Sequence, residues 1–187
     1  MTAPWNERLP TSVWVSGTEY EIRSDYRAVL DICTALADPE LTDGEKAAVA
    51  LEIFYPSFES MPSEHYQEVL EKCFWFINCG SDERVGKKSP RLVDWKQDFQ
   101  YIVAPINRIC GQEIRSVEYI HWWTFMAAYM EIGDCVFAQI VRIRNLKAKG
   151  KKLDKADQEW YRQNRHLVDF KTTYTEAEQD VLKQWGW

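Results

Sequence analysis

The sequence predicts a mainly α protein, a single helical domain of six to seven helices carrying a short N-terminal β-hairpin. Three observations predict it. Apolar residues recur at three- and four-residue spacing through most of the chain. Capping residues and prolines punctuate that spacing. β-forming alternation is confined to one pair of short runs near the start. No strand–helix–strand alternation and no internal repeat is visible. At 187 residues the chain suits one substantial domain. We place it at residues 1–170, with residues 171–187 as a short C-terminal helix or tail.

Each element follows from local chemistry. Val13 to Val15 and Glu19 to Ile22 flank Ser16 and Gly17, a turn pair of the hairpin kind, so the hairpin spans about residues 13–22. Ser24 is placed to cap the first helix, with Asp25 in the first turn where the dipole favours it. Tyr26, Val29, Leu30, Cys33, Leu36 and Ala37 form its stripe, and Pro39 stops it. Thr42 and Glu45 make a capping box ahead of a second helix that ends at Pro56. A third helix within residues 62–78 turns Val69, Leu70, Cys73, Phe74 and Ile77 inward. The apolar spacing vanishes over residues 79–93, which read as a mobile surface loop. Asp94 caps the next helix, striped by Trp95, Phe99, Ile102, Val103 and Ile106. Pro105 removes a backbone donor and is expected to kink or break this helix near Tyr101. The stretch Glu118 to Arg144 reads as one long helix or two joined at Gly133. A basic run, Lys147 to Lys155, leads into a polar helix from about Asp154 to Leu167. A last short helix is expected from about Thr175 to Trp185.

Composition narrows the function. The net charge of −6 opposes generic nucleic-acid binding, which needs a field favourable to phosphate. No apolar run reaches the roughly 18 residues of a membrane span, and Met1 to Pro10 is too polar for a secretory leader. The chain therefore reads as soluble and cytoplasmic. Its five cysteines form no CxxC and read as reduced thiols. Aromatic residues make up 14% of the chain, including nine tryptophans, enough for a strong core with some left to meet a partner.

No catalytic pattern stands out. His65 and His166 lie in polar settings, and His121 alone sits among apolar residues, without a nucleophile signature or HExxH near it. A histidine in that position is expected to be structural. Asp94 and Asp98 share one helical face at i and i+4. Asp94 is the expected N-cap, and Asp98 is expected to meet a cation, with Arg142 and Arg144 as candidates. No phosphate loop occurs. We therefore expect no catalytic residues, no cofactor and no metal. Trp122 and Trp123 differ by about 100° around a helix, so they cannot share one narrow stripe. With Phe125, Met126 and Tyr129 they leave this helix apolar almost all round. Such a helix is either buried in the core or divided between core and partner groove.

Taken together, the Asp-Trp-x-x-Asp of Asp94, Trp95 and Asp98, the His-Trp-Trp-x-Phe of His121 to Phe125, and the Ile-x-x-Ile-Arg of Ile140 to Arg144 resemble the bacteriophage gene-product-fifteen family of tailed phages and prophages. The resemblance runs from about Leu9 to Arg165 and leaves the C-terminal residues unmatched. It implies a non-enzymatic tail assembly chaperone that binds and solubilises the tape-measure protein in the host cytoplasm. Its expected partners are the tape-measure or other phage tail proteins, with a homo-oligomer as a further candidate and neither nucleic acid nor membrane. Trp122, Trp123, Phe125, Met126 and Tyr129 are the candidate partner-binding residues. One alternative is a minor structural or adaptor protein retained in the virion tail. A distant one is a metal-dependent enzyme using Asp94, Asp98 and His121.

Overall fold

Ser16 and Gly17 both take positive φ, at 49° and 81°, the pairing that a right-twisted two-residue hairpin requires. They join strand β1, Ser12–Val15, to β2, Thr18–Glu21, in antiparallel register with Val13 opposite Tyr20 and Val15 opposite Thr18. Ser16 Oγ donates to Glu68 at 2.9 Å, which ties the turn to a later helix. Val13 and Val15 face inward, and Trp14 between them points out. Ile22, just past β2, extends the ladder through its N–H to Thr11 O. A computed structural model describes residues 8–81 and 90–171 of the chain.

Helix α1, Tyr26–Leu36, is capped by Asp25, one residue later than the sequence predicts. The Asp25 carboxylate accepts the Arg27 and Ile120 N–H groups, whereas the Ser24 hydroxyl is taken by Tyr119 Oη. Helix α2, Asp43–Phe54, opens on the expected capping box of Thr42 and Glu45. After two single 3-10 turns comes α3, Tyr66–Ile77. Its inward residue is Phe76, where Phe74 was expected; Phe74 is exposed.

Helix α4, Trp95–Cys110, runs through Pro105 without ending, so of the expected kink or break the break does not occur. Ile102, Val103, Pro105 and Ile106 are all buried, so packing holds the helix across the missing donor. It stops at Gly111, whose φ of 69° is left-handed. The next stretch divides into α5, Trp122–Met130, and α6, Val136–Ala148, as in the two-helix reading. The polar segment also divides, at Asn164, into α7, Lys155–Gln163, and the single turn α8, Arg165–Val168. The described residues thus hold eight α-helical segments and one hairpin. The expected helix at Thr175–Trp185 and most of the 79–93 loop lie outside them.

The core sits where α1, α4 and α5 meet. Tyr26 stacks on Phe125 with ring centroids 4.7 Å apart, and Val29, Ile32, Ile102 and Ile106 close around them. The hairpin, α2 and α3 cover one side, with the Phe54 ring in contact with both Tyr55 and Phe76. On the other side α6 packs on α4, and α8 packs on α6. No helix among the described residues is long and apolar enough to cross a membrane.

Helix α5 is not uniform around its circumference. Phe125 is wholly buried, while Met130, five residues on, is 74% exposed. Phe125→Ala should therefore cost about 3–5 kcal/mol, and Met130→Ala should stay within about 0.5 kcal/mol. Urea unfolding of the two variants checks this; equal losses would contradict the two-faced helix.

Candidate functional site

The candidate residues gather around the start of α5, which lies beside the start of α1. Trp122 N–H donates to Ser24 O at 2.8 Å and Tyr26 N–H to Ile120 O at 3.0 Å. These bonds form a one-residue antiparallel bridge between Asp25 and His121. The Arg27 guanidinium braces the joint, donating to the Ile114 and Val117 carbonyls. The two helix starts therefore share donors and acceptors, which leaves few of their orphan groups unmet.

His121 is the N-cap of α5. Its Nδ1 accepts the Trp123 N–H at 3.0 Å, and its Nε2 lies 3.0 Å from Pro10 O. A carbonyl can only accept, so Nε2 carries the proton and Nδ1 keeps its lone pair for the cap. The ring must be neutral to cap. Burial pushes its pKa below the ordinary value, opposed by the Pro10 bond, which favours the charged form.

The adjacent tryptophans solve one problem together. Trp122 Nε1–H donates to Ile77 O and Trp123 Nε1–H to Phe76 O, both at 2.9 Å. Those carbonyls end α3, where a helix supplies no N–H donors from a following turn of its own. Because the two rings leave α5 in different directions, one reaches each carbonyl. Beyond them Cys79 and Gly80 take positive φ, and a Cβ on Gly80 would come within 3.0 Å of the Trp123 ring. A side chain there would strain the backbone and press on that ring.

Asp94 caps α4, accepting the Gln97 N–H at 2.9 Å. Asp98 is fully buried and binds Arg144, with Oδ2 at 2.5 Å from Nη1 and Oδ1 at 3.0 Å from Nη2. Arg144 also donates to the Val168, Leu92 and Leu167 carbonyls. All five of its N–H groups are thus satisfied, and the Phe170 ring covers its guanidinium at 4.1 Å. Arg142, the other candidate for Asp98, instead pairs with Asp157. The sequence reading missed Asp157, which is buried in the first turn of α7. Its only local mark is the cap spacing Asp154-x-x-Asp157, which says nothing of a cation 15 residues upstream.

The candidate partner residues divide by exposure. Trp122 and Phe125 are core residues, stacked on each other at 5.5 Å, and offer no surface to a partner. Trp95 closes over them and over Tyr129. Trp123, Met126 and Tyr129 are half-buried against the core. Beyond them Met130 and Val136, 50% exposed, stand out at the α5–α6 turn with Ile132 half-buried between. That turn, not the Trp-Trp pair, is the open apolar surface of this region. Asp94, Asp98 and His121 each have other partners, and no three His, Cys, Asp or Glu side chains among the described residues are grouped to hold a metal. The arrangement therefore does not assemble the metal site of the distant alternative. The five thiols are unbridged, and burial pushes Cys33 and Cys73 up to about 11 and about 12.

Residues 5–170 match the family model described as Bacteriophage Gp15 protein, so the chain belongs to that family. No curated protein and no solved structure matches the chain.

Two outcomes follow from this geometry. Asp98→Ala and Arg144→Ala should each cost about 3–5 kcal/mol, since either leaves a buried charge unpaired. The double variant should lose less than their sum by up to about 3 kcal/mol, while Arg142→Ala should add to Asp98→Ala within about 0.5 kcal/mol. A thermodynamic cycle from denaturant unfolding reads both. The His121 cap titrates in the opposite sense to a salt-bridged histidine. Its folded pKa is lowered, so its contribution is complete above the unfolded value of about 6.5 and is lost as pH falls from there. His121→Asn caps at any pH and should flatten that part of the stability profile; an unchanged slope would refute the neutral cap.

Proposed function

We propose that this member of the bacteriophage Gp15 family is a tail assembly chaperone that binds and solubilises the tape-measure protein in the host cytoplasm. One observation supports this reading above others. Met130 and Val136 stand exposed at the α5–α6 turn, beside half-buried Met126, Tyr129 and Ile132. An unbranched thioether adapts to irregular apolar partners, and a helix laid against such an edge would bury its own apolar face. A tape-measure protein is long and helical, and needs apolar cover before tube subunits assemble around it. The chain's acidic balance, −6 overall, keeps a complex of this kind soluble.

Coexpression with the tape-measure protein of the same phage tests the proposal. The intact chain should raise the soluble tape-measure fraction. The pair Met130→Asp and Val136→Asp should reduce that effect about tenfold, as expected for losing roughly 1.4 kcal/mol of binding. Its unfolding midpoint should move little, because both positions are exposed and the acidic residue favoured in the first turn of α6 offsets the one disfavoured at the last residue of α5. A tape-measure protein equally soluble with and without the chain would overturn the function. Full activity of the double variant would overturn the surface assigned to it.

A further inference from the structure

Charge is divided unevenly along the chain. Residues 142–171, from the second half of α6 to the last described residue, hold ten Lys and Arg against four Asp and Glu. Residues 43–77, from α2 through α3, hold seven Asp and Glu against two Lys. The two segments lie on different flanks of the core, α2 and α3 against α1 and the hairpin, α6 and α8 against α4 and each other. Among the described residues no hydrogen bond or ion pair joins them. The opposite charges are therefore not neutralised against one another within one chain.

The basic flank carries a surplus. Each of its four carboxylates is engaged: Asp154 caps α7, Asp157 pairs with Arg142, Glu159 with Arg162, and Asp169 with Lys147 and Arg165. Lys149, Lys151, Lys152 and Lys155 are exposed and make no ion pair among the described residues. They crowd one corner, where Lys151 N–H donates to Leu146 O at 2.9 Å as the chain turns from α6 towards α7. On the acidic flank, Glu64, Glu71 and Phe74 are exposed and follow one another at +7 and +10, along one side of α3. Neither glutamate has an ion-pair partner among the described residues, and the Phe74 ring beside them is 38% exposed. Carboxylates around an open aromatic face suit lysines, whose ammonium groups pair with the acids while their methylene stems lie on the ring.

We propose that the acidic α3 face binds the basic α6–α7 corner of a second copy of this chain, so that copies associate head to tail. Such a contact is heterologous and leads to a ring or an open row, not a closed dimer. The net charge of −6 does not oppose it at about 0.1 M salt, where repulsion is screened beyond roughly 10 Å and charges in contact decide the outcome. The α5–α6 turn stays clear, since Val136 begins α6 and lies about 18 Å from its last residue, Ala148. Light scattering on the full chain tests the arrangement. The mass should rise past the dimer with concentration at about 0.1 M salt and return to the monomer at about 1 M, where screening shortens to roughly 3 Å. The triple variant Lys149→Glu, Lys151→Glu and Lys152→Glu should associate at least about tenfold more weakly, and so should the pair Glu64→Lys and Glu71→Lys. All five positions are exposed, so circular dichroism should show wild-type helicity in both. An equimolar mixture of the two variants should restore assembly, because each reversed surface then meets a complementary one. A wild-type chain that is monomeric at about 0.1 M salt, a mass that stops at the dimer, variants that associate as the wild type does, or a mixture of the two helical variants that stays monomeric would each overturn the proposal. A monomeric chain that retards duplex DNA through the same lysines would overturn it too, giving the basic corner to nucleic acid.

Discussion

The ion pair of Arg144 and Asp98 is the point on which the C-terminal half of the molecule depends. A guanidinium and a carboxylate at 4% and 0% exposure lose most of their hydration, and that loss is offset only when every donor and lone pair is met. Arg144 meets the condition by drawing acceptors from separate segments: Leu92 before α4, Asp98 within it, and Leu167 and Val168 in α8. Gln97 adds a second tie to the same segment, donating to the Leu167 and Asp169 carbonyls. The charge therefore organises its surroundings, and the crossing of α6 over α4 is set by where one side chain finds five acceptors.

A second economy operates at the other end of the core. The start of α5 satisfies its own donors by pairing with the start of α1, and its two indoles satisfy the carbonyls that end α3. Three helix termini are thus joined through His121, Trp122 and Trp123. The aromatic excess of the chain is accordingly spent on polar as well as apolar duties. An indole buries a large ring and still donates one hydrogen bond, so it can close a helix end inside a core where a lysine could not. This is why the Trp-Trp pair has little left to offer a client. The exposed apolar surface falls instead at the next turn.

The parts of the fold legible in the sequence are those decided within about four residues. The Ser16-Gly17 turn, the Thr42–Glu45 box and the Asp94 cap are local hydrogen-bonding problems with local solutions. The helical fold class followed from spacing alone. Choices between equivalent neighbours were not legible. Ser24 and Asp25 are both good caps, and Tyr119, 95 residues away, decides between them by taking the serine hydroxyl. Arg142 and Arg144 both lie in the second half of α6, and only its packing on α4 shows which one faces Asp98. Pro105 illustrates the opposite case. A strong local rule predicts a kink or a break, and with both flanks buried the helix does not end there. Of the aromatic and methionine residues that composition singled out on α5, the structure buries Trp122 and Phe125 and leaves Met126 and Tyr129 half-buried, while the exposed apolar residues Met130 and Val136 lie at the turn beyond them.

The spacing of the buried pair along the chain bears on how the molecule is made. Asp98 leaves the ribosome 46 residues before Arg144, which at about 5–20 residues per second is roughly 2–9 s of synthesis. During that interval α1, α4 and α5 can already assemble their apolar core around Tyr26 and Phe125. The carboxylate they would enclose still lacks its counter-charge. The nascent core is therefore obliged to leave the N-terminal end of α4 open to water until α6 arrives, and the carbonyls of α8 arrive later still. Closure of that side needs α6 and α8, the last described elements to be synthesised, so it cannot precede them.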